Sequence, residues 1–162
     1  MEERFHQSAL RKWRTSLPGS IYSITKCVDD TVAPLICDLS NLENESEVPK
    51  LVVECLRWLQ ENGRLRCEAY VVMPDHVHLI MALGEDQDLS SVMASFGSYS
   101  ARGINKARQR KGRFWQRGFY DHRLCSKEAY TRHLGYIREN PVRKGYVESP
   151  EDWPYSCLFP DW

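Results

Sequence analysis

Two histidines stand out in this sequence because of their spacing and their surroundings. His76 and His78 flank one valine inside residues 69–83, a run with the apolar character of a buried strand. Side chains alternate between the two faces of a strand, so both imidazoles point to the same side, about 7 Å apart along the backbone. Two imidazoles at this spacing can converge on one ion. A core gains nothing from two polar rings on one face unless something binds them, so the pair predicts a binding site.

A second group of reactive side chains lies near the end of a helix predicted for residues 127 to about 140. Tyr136 and Asn140 are four residues apart and therefore share one face of its last turn, with Arg132 and His133 one turn back. A tyrosine beside an amide and cations can act as a nucleophile, and His133 could influence it. The alternative is a packed tyrosine whose hydroxyl bonds to the backbone.

The elements that must position these groups follow the order β-α-β-β-α-β-α. Strand-like patterns predict four strands, over residues 20–28, 65–73, His76–Leu83 and 119–125. Helical periodicity predicts helices over residues 49–62, 89–106 and 127 to about 140, the last ended by Pro141. This split βαβ order predicts an α+β fold with a four-stranded antiparallel sheet and helices on one face. The order leaves open where the added C-terminal helix lies relative to the sheet.

Size and composition restrict the class of protein. With 162 residues, 42% of them hydrophobic and 11% aromatic, the chain suits one globular domain over residues 1–162. Residues 1–18 are expected to form a partly flexible leader and residues 145–162 a C-terminal tail. The polar start and the lack of an apolar run of roughly 18–20 residues predict a cytoplasmic protein. None of the six cysteines forms a Cys-x-x-Cys pair, which excludes a zinc ribbon or dithiol redox motif and favours reduced thiols.

The formal net charge of zero hides an asymmetry. Residues 102–144 carry thirteen lysines and arginines against three carboxylates, a charge of +10, so the rest of the chain carries −10. A concentrated basic segment predicts a polyanion partner, although a solvated basic face without a ligand is the alternative. The aromatic residues Phe114, Trp115, Phe119 and Tyr120 are interleaved with these cations, and they could stack on unpaired bases or belong to the core.

The two reactive groups together carry a family resemblance. His76-Val77-His78, followed by Tyr-Ile-Arg-Glu-Asn-Pro at residues 136–141, resembles the single-tyrosine HUH superfamily. Within it the chain is similar to transposases of the insertion-sequence-200 type, and most closely to their domesticated relatives associated with repetitive extragenic palindromes (REP). Residues 70–83, 114–122 and 130–156 carry the match.

The resemblance implies a ferredoxin-like core and a metal-dependent single-stranded DNA endonuclease and strand transferase. Such an enzyme nicks and rejoins DNA near hairpins through a 5′-phosphotyrosine intermediate. It implies Tyr136 as the nucleophile, with Tyr130 as the alternative, and His76 and His78 as ligands of Mg²⁺ or Mn²⁺. Asn140 stands where the insertion-sequence enzymes carry a glutamine, and it is the candidate for a third ligand.

The partner implied by the resemblance is single-stranded DNA with a hairpin. The predicted DNA-binding residues are mostly those of the basic segment: Arg102, Lys106, Arg108, Arg110, Lys111, Arg113, Arg117, His122, Arg132, Arg143 and Lys144. His122 could instead be structural, and Asp75 could tune the histidines or serve the tight turn after Pro74. The resemblance leaves open whether the protein is a monomer or a homodimer. The alternative function is a DNA-binding protein on the same fold that has weak or no chemistry.

Overall fold

The computed structural model of the chain describes residues 16–44 and 46–162. The strands are β1 (Ile21–Cys27), β2 (Leu65–Val72), β3 (His76–Leu83), β4 (Tyr120–Arg123) and β5 (Ser156–Leu158). The α-helices are α1 (Glu47–Glu61), α2 (Leu89–Ala107) and α3 (Lys127–Arg143), and a turn of 3₁₀ helix spans Pro150–Asp152. Residues 1–15 of the predicted leader lie outside the described residues. In the described part of the chain, no helix combines the length and apolar character needed to cross a membrane.

The strands form one antiparallel sheet in the order β4-β1-β3-β2-β5. Its first four members have the arrangement of a split βαβ unit, which confirms the predicted α+β fold. The predicted bounds agree with the observed ones within two residues, except at the end of α3. The predicted count of four strands is one short, because β5 has only three residues and shows no alternation that a sequence pattern could detect. This strand adds the C-terminal tail to the sheet beside β2.

Different helices cover the two faces of the sheet. Tyr70 of β2 lines a cavity together with residues of α1, so α1 lies on the face that carries Tyr70 and its cross-strand partner Leu79. α2 packs beside α1. α3 lies on the opposite face, where the side chain of its His133 contacts Ser23 of β1. The structure therefore gives the added helix the place that element order left open.

The central strands are apolar on both sides because helices cover both. Val71, Val72 and Ile80 are fully buried, so β2 and β3 appear in the sequence as nearly continuous apolar runs rather than as alternating ones. His76 and His78 interrupt this run at the start of β3, on the face covered by α3. Both imidazoles thus lie on the side of the sheet that faces α3, the helix that carries the candidate nucleophile.

The prediction that Pro141 ends the last helix is wrong. α3 includes Pro141 and continues to Arg143. A proline in the last turn removes only one backbone donor, and the helix is terminated instead by Gly145, two residues beyond Arg143, which has a φ of +72°. The N–H of Gly145 bonds to the carbonyl of Val142, and the N–H of Tyr146 bonds to that of Pro141, which is the Schellman pattern.

We expect Gly145→Ala and Gly135→Ala to change the free energy of unfolding in opposite directions. Gly145→Ala should destabilise the fold by about 1 kcal/mol, because a Cβ disfavours the left-handed φ of the helix end. Gly135→Ala should stabilise it by about 0.5–1 kcal/mol, because this residue lies inside α3 and its Cβ would meet no atom within 4 Å. Urea unfolding measures both, and effects of the same sign would contradict this account of the helix end.

Candidate active site

The imidazoles of His76 and His78 face each other at the start of β3. The Nε2 atoms of His76 and His78 are 3.0 Å apart, and the ring centroids are 4.5 Å apart with an interplanar angle of 75°. Both rings are half-buried. The period-two prediction that these side chains share one face thus agrees with the geometry, and their Nε2 atoms are close enough to contact one ion.

Each histidine has a polar partner on its other ring nitrogen. The Nδ1 of His76 is 2.6 Å from Oδ1 of Asp75, and the Nδ1 of His78 is 2.8 Å from Oγ1 of Thr25. Asp75 is therefore in direct contact with the histidine pair, and this hydrogen bond from His76 lowers the pKa of its carboxyl. If each Nδ1 carries the proton and donates it to its partner, both Nε2 lone pairs face the space between the rings. Partners of this kind fix the tautomer and orientation of metal-binding histidines.

His78 is held in its neutral form. Burial, followed by the positive charge that His76 would carry, lowers the pKa of His78 to about 3. At neutral pH its imidazole therefore has a free lone pair, which is the form that binds metals.

Tyr136 is the tyrosine that α3 brings to the histidines. Its ring is 40% exposed and meets His78 edge to face, with centroids 5.2 Å apart. Tyr130, the alternative nucleophile, lies elsewhere: its hydroxyl donates to Oε2 of Glu68 on β2 at 3.0 Å. Burial, together with this carboxylate, raises the pKa of Tyr130 to about 12. The two tyrosines therefore differ in surroundings, and Tyr136 is the one that contacts the pair.

Asn140 lies one turn after Tyr136 and is only 2% exposed. Its Oδ1 atom is buried and accepts no hydrogen bond within the described residues. A buried acceptor without a partner is costly, and such atoms are rare in native folds. No group of three or more His, Cys, Asp or Glu side chains in the described ranges could hold an ion.

A cleft of about 330 Å³ opens between α3 and the sheet beside the tyrosine. Its lining comprises Ser23, Thr25, His78, Arg132, His133, Tyr136 and Ile137. His133 is fixed in it by a 3.0 Å contact between its Nδ1 and Oγ of Ser23, and the ring of His122 stacks on His133 with centroids 5.6 Å apart. Burial, and after it the charges of His122 and Arg132, lower the pKa of His133. The cleft therefore has imidazole and phenol rings on its walls and an arginine at its rim.

Comparison with known proteins places this arrangement in a family. The family model described as "Transposase IS200 like" matches residues 42–140, a range that contains both histidines, Tyr136 and Asn140. The chain belongs to the IS200-like transposase family. This confirms the resemblance on which the sequence analysis relied.

Two relatives of this IS200-like chain are named as REP-associated tyrosine transposases. A Haemophilus influenzae protein is 37% identical over 103 residues, which are 57% of this chain and 58% of that protein. An Escherichia coli protein is 33% identical over 94 residues, which are 57% of this chain and 54% of that protein. The chain thus spans little more than half the length of either relative.

A solved structure supports the fold. It is a REP-associated tyrosine transposase bound to a REP hairpin, it superposes with a TM-score of 0.66, and it is 24% identical. The superposition covers 88% of this chain and 79% of that one. Similarity at this level of identity supports the α+β architecture of the IS200-like chain.

The predicted DNA-binding residues of this member of the IS200-like family have different surroundings. Arg132 lines the cleft, and Arg143 places its guanidinium 5.0 Å from the ring centroid of Tyr136. The charge of Lys144 is close enough to lower the pKa of His78 further. With His122, these residues are the members of the predicted set that the structure brings to the cleft.

Three arginines of the predicted set make contacts with other residues of the chain. Arg108 donates to backbone carbonyls of residues 33–35. Arg110 donates to the carbonyl of Arg113, and Arg113 forms an ion pair with Asp29 at 3.1 Å. These contacts tie the end of α2 and the following loop to the loop after β1.

The other cations of the predicted set line a different cleft or are exposed. Arg102 lies on the outer surface of the α1–α2 pair, where it lines a different cleft of about 310 Å³ with Tyr99. Lys106, Lys111 and Arg117 are exposed. A role in DNA binding stays a prediction for all of these residues.

Sequence reasoning missed Ser23 and Thr25. Both lie on β1, and the register of β1 against β3 pairs Thr25 with His78. The signal was present: hydroxyl residues alternate with Tyr22 and Ile24, so they had to share one face of β1. What the sequence lacked was the pairing that shows which strand they face.

We expect Thr25→Val to lower the free energy of unfolding by about 1–3 kcal/mol, because it leaves the Nδ1 of a largely buried His78 without a partner. Thr25→Ser keeps the hydroxyl and should lose less. Urea unfolding in the presence of a chelator separates this effect from metal binding. A larger loss for Ser than for Val would show that the methyl group, rather than the hydrogen bond, matters.

Proposed function

We propose that this chain is a metal-dependent single-stranded DNA endonuclease and strand transferase that nicks and rejoins DNA near hairpins through a 5′-phosphotyrosine. The observation that carries the proposal is the contact between the exposed ring of Tyr136 and the histidine pair. The family membership supports it, and the cytoplasm is the proposed setting.

His76, His78 and Asn140 are the residues that would hold Mg²⁺ or Mn²⁺. The 3.0 Å separation of the two Nε2 atoms would let both imidazoles contact one divalent ion. The orphaned Oδ1 of Asn140 fits a third ligand, since a divalent cation accepts amide oxygens. When bound, the ion would polarise the scissile phosphate and offset the charge that develops at phosphorus.

Tyr136 would supply the nucleophile. A tyrosine hydroxyl titrates near pH 10 in water and is a weak nucleophile at neutral pH, so it must be positioned and activated. Its oxygen would attack phosphorus while the bond between phosphorus and the 3′ oxygen breaks. The tyrosine hydroxyl gives up its proton as the new bond forms, and the departing oxygen takes the electron pair of the broken bond and one proton, so that it becomes a 3′-hydroxyl and no net proton is consumed. The new phosphotyrosine keeps the energy of the broken bond, so attack by a 3′-hydroxyl can rejoin the strand.

The cleft would bind the strand. Arg132 and Lys144 supply positive charge beside it, and the stacked rings of His122 and His133 offer flat surfaces of the kind on which unpaired bases stack. The structural neighbour is bound to a REP hairpin, which supports a hairpin as the substrate class. Binding of this kind weakens steeply with salt because counterions are released.

Substitution of the two tyrosines of α3 tests which one is the nucleophile. Wild-type protein incubated with Mn²⁺ and a hairpin-bearing single strand labelled at its 3′ end should form a labelled covalent adduct, because the attacked fragment stays on the protein. Tyr136→Phe should abolish the adduct, and Tyr130→Phe, which removes a hydroxyl of the same helix, should keep it. Denaturing gels and mass spectrometry of the modified peptide identify the site.

The reverse pattern would assign the chemistry to Tyr130. Binding of the hairpin without any adduct in the presence of Mg²⁺ or Mn²⁺ would favour the alternative, a DNA-binding protein without chemistry. His76→Ala should remove cleavage and leave hairpin binding largely intact.

Metal affinity tests His78 and Asn140 as ligands. We expect His78→Ala and Asn140→Ala each to weaken Mn²⁺ binding by about tenfold or more, because ligands and their partners usually have effects of this size. His122→Ala removes an exposed imidazole of β4, which β1 separates from β3, and should leave the affinity unchanged. Mn²⁺ titration followed by electron paramagnetic resonance measures this without DNA. An unchanged affinity in Asn140→Ala would exclude the amide as a ligand.

A further inference from the structure

The part of α3 after Pro141 brings a cation to the candidate nucleophile. Arg143 is seven residues after Tyr136. Because the helix continues to Arg143, the two side chains lie on the same helix face, two turns apart. Helical side chains lean towards the N-terminus, so a long side chain at this position reaches back over the preceding turns.

The guanidinium of Arg143 reaches the aromatic ring. Its Cζ lies 5.0 Å from the ring centroid of Tyr136, inside the range of cation–π contacts. The same ring meets His78 edge to face at 5.2 Å between centroids. The tyrosine therefore has a flat cation and an imidazole as neighbours, although 40% of its surface remains exposed.

Another arginine of the same helix, Arg138, has carboxylate partners that Arg143 lacks within the described residues. Arg138 forms ion pairs with Glu139 and Glu151. Within the described residues, no carboxylate pairs with Arg143, and its guanidinium lies over the ring of Tyr136. An exposed arginine that stacks on an aromatic ring without a competing carboxylate keeps a positive charge available at the ring.

We propose that Arg143 is a positioning residue, which fixes the ring plane of Tyr136 beside His78 so that the hydroxyl is presented to the scissile phosphate. The role depends on the planar guanidinium, which stacks on aromatic faces as a lysine ammonium does not. It is distinct from the phosphate contact predicted for Arg143, which depends on charge alone. The proposal rests on the proposed function of Tyr136.

The test separates stacking from charge with two substitutions. Arg143→Lys keeps the charge, so hairpin affinity and its salt dependence should stay within about twofold of wild type, while the single-turnover rate of adduct formation falls about fivefold or more. Arg143→Gln should slow the adduct at least as much and also reduce the salt slope of binding by about one. Arg138→Gln makes the same charge change on another face of α3 and should leave the adduct rate unchanged.

Wild-type adduct rates in Arg143→Lys would overturn the proposal and leave Arg143 as a phosphate contact. A rate loss in Arg138→Gln as large as in Arg143→Gln would also overturn it, because the effect would then follow net charge.

A measurement on the free protein keeps the test independent of catalysis. In protein with ¹³C-labelled arginine, the Hδ resonance of Arg143 should lie upfield of those of the other exposed arginines because the ring of Tyr136 shields it. Tyr136→Leu should return it to the ordinary position. An unshifted resonance in wild type would overturn the stacked arrangement, whereas a shifted resonance in a protein that forms no adduct would overturn only the proposed function.

Discussion

The antiparallel pairing of β1 with β3 is the interaction on which the rest of the site depends. It sets Thr25 opposite His78, so that a hydroxyl on one strand holds the imidazole on the next. The same alternation puts Ser23 on this face, where it contacts His133 of α3. Because side chains alternate with a period of two, a shift of the register by one residue would turn these hydroxyls into the apolar layer on the other face. Burial of Tyr22 and Ile24 in that layer makes such a shift costly.

The second constraint is the docking of α3 on the face that α1 and α2 leave open. Ile137 provides the buried apolar contact, at 1% exposure, and Tyr130 and His133 provide polar contacts to β2 and β1. Three contacts spread over two turns fix the helix both along its axis and in rotation. Tyr136 is then presented beside His78 while its ring remains accessible, which is what a side chain that meets a large substrate requires.

Much of this could be predicted from local patterns. The shared face of His76 and His78 follows from strand alternation, and the shared face of Tyr136 and Asn140 follows from helical periodicity. The end of α3 could not be predicted from Pro141, because a proline in a last turn is tolerated when a glycine such as Gly145 completes the cap. Charge counting put the arginines of the basic segment in one set, but a charge count contains no contacts between residues distant in sequence, such as the ion pair of Arg113 with Asp29. The contact between Thr25 and His78 depends on strand pairing, which no local pattern contains.

The short fifth strand covers an edge of the sheet. β5 covers Ala69, Tyr70 and Val71 of β2, which would otherwise be the apolar outer strand of the sheet. Unpaired backbone groups on such a strand are a template for pairing with another molecule. A chain shortened before Ser156 would leave the backbone groups of these three β2 residues open to pairing with a strand of another molecule.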